Sequence, residues 1–194
     1  MINIDNPHQL SYQTPEASQP TSSGFSLEGL AKMVEVALNH TQELGYQSYR
    51  FVSERDLTTE ESAAHLDVMI TNSHPTRGQD YDAANVFGPM ADDPEAASQK
   101  GTEFLAELEE FIIIKDLYPA AKTHFLVIPK NHYEALPDMP ADQIAKMYQL
   151  AIKTAEEQLG LTKYRLTANV YPPNQQVPHV HLHIMSDQSA TLAK

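Results

Sequence analysis

The chain has 194 residues, 13 basic and 26 acidic, a formal net charge of −13, and neither cysteine nor tryptophan. That excludes a disulfide framework, a thiol nucleophile and a thiolate zinc site. It argues against general nucleic-acid binding, which needs clustered Lys and Arg, but not against a small anionic substrate, since a few local donors hold one phosphate.

No basic n-region or apolar h-region opens the N-terminus, and no apolar run nears the ~18 residues that span a bilayer. The expectation is a cytoplasmic protein without a membrane partner. Residues 1–25 are rich in Ser, Gln, Pro, Asn and Thr and lack Lys and Arg. So few apolar groups predict a flexible arm. Residues 26–103 read as an N-terminal extension. In it, Ser26 caps a helix whose stripe is Leu30, Val34, Ala37, Thr41 and Leu44, with Gly45 as the stop. Residues 46–52 read as extended, 58–61 as the start of a short helix and 66–70 as a strand. Residues 71–100, dense in Asp, Pro, Asn, Gly and Ser, read as a long loop of the kind that covers a site. Its aromatics Tyr81 and Phe87 either anchor it to the core or stack on a ligand, with anchoring the better bet.

From residue 101 the pattern sharpens. Residues 102–109 read as a helical turn or two. Residues 111–115 (FIIIK) and 123–129 (THFLVIP) are strands around a turn at 116–121. Pro140 opens a helix with Ile144, Met147, Tyr148, Ala151, Ile152, Ala155 and Leu159 on one face, ended by Gly160. Residues 164–171 form a strand, 172–174 a turn, and 179–185 (HVHLHIM) the last strand. No internal repeat is visible.

His179, His181 and His183 alternate with Val180, Leu182 and Ile184. On a strand the imidazoles share one face, about 7 Å apart, and the aliphatic groups share the other. A solvated face more often carries Thr, Lys or Glu than three histidines. Imidazoles also suit a metal, yet the outer two lie about 13 Å apart along a straight strand and converge poorly on one ion. The third reading makes the central imidazole a nucleophile, oriented by its neighbours.

His179-Val180-His181-Leu182-His183-Ile184-Met185 resembles the signature of the histidine-triad (HIT) family of nucleotide hydrolases and transferases. Two further blocks agree, in the right order. Asp116-Leu117-Tyr118-Pro119, followed by His124-Phe125-Leu126-Val127-Ile128-Pro129-Lys130-Asn131-His132, is similar to the family's Asp-x-x-Pro and histidine-strand stretch. Residues 164–169, ending in Asn169, look like the strand carrying the family's active-site Asn. The resemblance covers residues 104–190. It implies an α+β fold: an antiparallel sheet with a packed long helix, to which the N-terminal extension is added.

The resemblance also implies roles. His181 matches the nucleophile that takes a nucleoside monophosphate from an α-phosphorus. His179 and His183 match its flanking partners, which bind phosphate oxygens and help the leaving group depart. His124 matches a supporting histidine, and His132 shapes the loop beyond it. Asp116 matches the ribose-binding carboxylate, though an Asp there also favours a turn. Leu117 and Leu126 match the base pocket, while Asn169, Gln175 and Gln176 match contacts to phosphate or leaving group. Gln176 stands where the family carries a small hydroxyl residue, so the leaving-group preference differs. Asn85-Val86-Phe87-Gly88-Pro89 is similar to the Asn-x-Phe-x-Pro element of dinucleoside polyphosphate phosphorylases.

No cofactor and no metal ligand set is implied; Mg²⁺ enters only with a polyphosphate substrate. A homodimer is implied by resemblance alone. The substrate branches are purine nucleoside phosphoramidates and acyl-adenylates on one side and dinucleoside polyphosphates or another nucleotide diphosphate on the other. The alternatives are a nucleotide-binding module with little turnover and a histidine-based metal-binding protein.

Overall fold

Ser26 starts the first helix, as expected. Its Oγ accepts the Gly29 N–H at 3.1 Å, and α1 runs Leu27–Glu43. Gly45, at φ 67°, supplies the left-handed stop. Ser26→Ala removes the acceptor of an otherwise unmatched amide, so we expect a loss of about 1 kcal/mol. The urea midpoint reads it; an unchanged midpoint would refute the cap's contribution.

The computed structural model describes residues 3–6, 9–12, 25–58, 66, 68–71 and 85–192. After α1 come β3 (Tyr49–Asp56) and β4 (Val68–Thr71), preceded in the chain by β1 (Asn3–Asn6) and β2 (Gln9–Tyr12). Next are α2 (Phe87–Asp92), α3 (Pro94–Gln99), β5 (Phe104–Glu107), β6 (Phe111–Lys115) and β7 (Thr123–Pro129). Then follow α4 (Ala141–Lys153), β8 (Lys163–Val170) and β9 (Leu182–Ser186). Among the described residues these strands form one nine-stranded sheet, order β1-β2-β4-β3-β8-β9-β7-β6-β5, antiparallel at every neighbour pair.

Alternation along the strands sorts the side chains into two faces. One face carries Phe51, Val68, Ile70, Ile113, Val127, Leu166, Leu182 and Ile184 and packs on α1 and α4 in the main core. The other carries a small cluster of Ile112, Ile114, Leu126 and Ile128 under Phe87 and Ala91 of α2. Helix α4 continues into a π-turn at Thr154–Gln158, and Gly160 at φ 62° ends the segment. From that turn Glu156 accepts from Arg55 at 3.0 Å and from the Tyr164 hydroxyl at 2.7 Å, tying the turn to β3 and β8.

Several expectations are corrected. Residues 71–100 are not all loop: α2 and α3 lie there, α3 capped by Asp93, whose Oδ1 accepts the Ala96 N–H at 2.9 Å. Residues 104–107 form a strand rather than a helical turn. Pairing with β6 overrides the helix preference of Leu105, Ala106 and Glu107. Strands β1 and β2 stand in the stretch read as a flexible arm and pair with each other, β2 also with β4. The regular part of the histidine strand begins only at Leu182. The helix expected at 58–61 and the residue Tyr81 fall outside the described residues, apart from Thr58, which is in a turn.

No helix among the described residues is long and apolar enough to cross a membrane.

Candidate active site

The register of β7, β9, β8 and β3 builds the site. His183 stands between Leu126 on β7 and Thr167 on β8. Met185 stands between His124 and Arg165, and Thr167 faces Val52 of β3. Ahead of β9 the chain is irregular. The Val180 N–H donates to the Tyr133 carbonyl at 2.8 Å, which holds the segment in place. His181 and His183 still share a face, with ring centres 4.9 Å apart. That is closer than extended spacing predicts, because the chain bends before β9.

His181 is buried, and its Nδ1 donates to the His179 carbonyl at 2.8 Å. A neutral imidazole with its proton on Nδ1 keeps a lone pair on Nε2. Burial pushes the His181 pKa down to about 4, outweighing the carbonyl it donates to. The ring is therefore neutral at ordinary pH and in the tautomer a nucleophile needs. Phe87 of α2 stands edge-on to it at 5.0 Å.

His183 is held well below its ordinary value by burial, then by His181 and His124. Its Nδ1 lies 2.8 Å from His124 Nε2, and its Nε2 lies 3.1 Å from the Asn169 amide. His124 Nδ1 accepts the backbone N–H of Ala120 at 3.1 Å. A peptide N–H cannot turn, so the His124 proton sits on Nε2 and points at His183. His183 Nδ1 then accepts, and its own proton sits on Nε2, toward Asn169. Asn169 can turn its amide and presents its oxygen. One backbone amide thus fixes the proton positions of two rings and leaves an N–H on the β8 side of His183.

His179 is fully buried; its Nε2 donates to the Pro129 carbonyl at 2.9 Å and its Nδ1 faces Asn85 Oδ1 at 3.1 Å. Burial lowers its pKa. Both nitrogens face protein oxygens, and a neutral ring donates to one of them only. His179 also positions His181 through its own carbonyl. His132 donates to the Pro178 carbonyl at 2.8 Å and lies 5.1 Å, ring to ring, from His179.

Asp116 forms the turn that its sequence position suggested: Oδ1 accepts the Tyr118 N–H at 2.7 Å, while Oδ2 lies 3.4 Å from His124 Nε2. Ligand atoms of Asp116, His124 and His183 all lie within 4.8 Å of one another, so these three are the residues that could hold a metal. The hydrogen bond between the two histidines uses the lone pair a metal would need.

Leu126 is buried in the small apolar cluster, whereas Leu117 is 57% exposed on the turn. Gln175 is not available to a ligand. Its Oε1 accepts the Tyr171 N–H at 3.1 Å, and its amide donates to the carbonyls of Glu134 and Val177. That correction has a physical reason: Tyr171 sits at φ 59°, uncommon for a side-chain-bearing residue, and Gln175 clamps that turn. Gln176 is half-buried beside it.

Two residues of the site were missed as such. Asn85 holds His179 and accepts the Gly88 N–H at 2.9 Å at the start of α2. Phe87 both anchors α2 in its apolar cluster and touches His181. Their signal was the Asn-x-Phe-x-Pro stretch, too short to weigh alone.

Comparisons with known proteins agree with this geometry. A family model described as HIT domain matches residues 97–190. Adenosine 5'-monophosphoramidase HINT3 of Danio rerio is 32% identical over 123 residues, 61% of this chain and 74% of that protein. The Mus musculus protein of the same name is 34% identical over 112 residues, 55% of this chain and 65% of that one. A uridylyltransferase structure superposes with TM-score 0.56 at 14% identity, covering 96% of this chain and 65% of its own. An ADP-glucose phosphorylase from Arabidopsis thaliana gives 0.51 at 12% identity, covering 95% and 65%. Those two likenesses are of fold, and they extend through the N-terminal strands.

Proposed function

This chain belongs to the HIT family, and from that premise we propose that it transfers a nucleoside monophosphate group through His181. The membership and the homologues make it a nucleotide hydrolase or transferase in general terms. The finer reading rests on one observation: His181 Nδ1 is tied to the His179 carbonyl, which leaves a neutral Nε2 as nucleophile.

Nε2 attacks the α-phosphorus and forms an N–P bond. The bond from phosphorus to the leaving group breaks, and its electron pair departs with that group. The His183 Nε2–H donates a hydrogen bond to the leaving group, which departs with a proton taken from solvent. Water then attacks the phosphorus and breaks the N–P bond, its proton returns to solvent, and His181 is neutral again. Asp116 holds the ribose, and Leu126 and Leu117 border the base. No metal takes part in these steps.

Adenosine 5'-monophosphoramidate is the first compound to try, because two relatives are named for acting on it. Rapid quenching into denaturant at mildly alkaline pH should show a fraction of the protein heavier by one adenylyl group. Peptide mapping should place the group on His181. Steady release of AMP with no adenylylated protein at any time point would refute the covalent route.

A further inference from the structure

The N-terminal extension contributes β3, and β3 brings Arg50 to the site. Arg50 is the Cα partner of Asn169 in the β3–β8 register. Its strand neighbours Tyr49 and Phe51 are buried in the main core, so its side chain stands on the opposite face, that of the histidines. The ion pair of Glu54 with Arg165 confirms that face for both strands.

The direction of the leaving group follows from His183. Its Nδ1 is taken by His124 on β7, so the hydrogen bond it can donate comes from Nε2, toward Asn169 on β8. With Asp116 and Leu126 holding the nucleoside over β6 and β7, the remainder of the substrate extends over β8 and β3. The next residue outward from Asn169 is Arg50. Two strand spacings, about 10 Å, separate β9 from β3, and an extended Arg side chain covers most of that distance.

We propose that Arg50 binds a phosphate of the leaving group, so that the preferred substrate is a nucleoside diphosphate-linked compound rather than a phosphoramidate. This rests on the reading of His181 above.

Two observations support it. The triad histidines are neutral and offer hydrogen bonds but no charge to a second phosphate. Burial, and then Arg165, push the Arg50 pKa down, a cost that a bound anion would relieve. A guanidinium also meets two phosphate oxygens at once, which suits it to this position.

The test compares AMP with ADP, which differ by one phosphate, by calorimetry on the full chain in EDTA. The wild type is expected to bind ADP about 30-fold more tightly than AMP, the size of a charge-assisted contact. In Arg50→Ala that ratio should fall to within about threefold of unity, and Arg50→Lys, which keeps the charge but not the fork, should lie between. A ratio unchanged in Arg50→Ala, a wild type that does not distinguish the two, or binding of neither overturns the assignment. AMP release from diadenosine triphosphate and from adenosine phosphoramidate is measured in parallel. Release from neither would refute the hydrolase reading, while the ADP-to-AMP ratio still decides Arg50.

Discussion

His181→Ala is expected to lower turnover by about 10⁴-fold or more, the scale on which removal of a catalytic nucleophile acts. Nucleotide affinity should change far less. In the proposed binding mode Asp116 and the apolar border hold the nucleoside, and the remaining polar contacts come from His183, Asn169 and Arg50. The loss should appear in kcat rather than in KM, because the N–P bond exists only after binding. His181→Asn serves as the second variant: a planar amide can keep the donation to the His179 carbonyl but has no imidazole lone pair. Both variants should be comparably inactive. A variant retaining more than about a tenth of wild-type turnover would exclude His181 as nucleophile. It would leave His183, with its proton already directed to Asn169, as the acid of a direct hydrolysis by water.

Much of this was legible in the sequence, for reasons visible in the structure. His183, His124 and Asn169 lie on three adjacent strands whose alternation is strong, so their face could be read residue by residue, while His179, His181 and Asp116 were legible from the motifs next to those strands. α1 and α4 announced themselves by a cap or a proline and a continuous apolar stripe. What was not legible depends on long-range pairing. Leu105, Ala106 and Glu107 favour a helix locally and become strand only because β6 offers its edge. Gln175 looked like a ligand contact from its place ahead of the histidine motif, yet its amide is used by backbone groups 2 and 41 residues away. Arg50 lay in a segment without a motif. Its place beside Asn169 comes from a pairing 119 residues long in sequence (50 to 169), which no local pattern encodes. That same pairing occupies the outer edge of β8 along all eight of its residues, so a homodimer would have to use another surface.

Acid should destabilise the fold in a window set by the same histidines. Burial keeps His181 neutral down to about 4 from an ordinary 6.5, and lowers His179 and His183 as well. Above 6.5 neither folded nor unfolded chain carries these protons, and the fold pays nothing. As pH falls below 6.5 the unfolded chain binds protons that the folded one excludes, so stability is lost progressively until the folded groups also titrate. For His181 alone the loss between 6.5 and about 4 is roughly 3 kcal/mol, with more from its neighbours. Against a typical total of about 5–15 kcal/mol, that is a large share. Asp56, held at about 2 by Thr58 and then Lys163, loses its stabilisation only as pH falls below its ordinary 3.8, beneath this window. Urea midpoints at pH 7.5, 6 and 5 read the slope. The wild type should lose much of its stability by pH 5, and His181→Asn, with no proton to exclude at that position, should lose less. Equal midpoints at pH 7.5 and 5, or the same slope in His181→Asn, would mean that His181 is not buried neutral. The tautomer argument for its nucleophilic Nε2 would then fall with it.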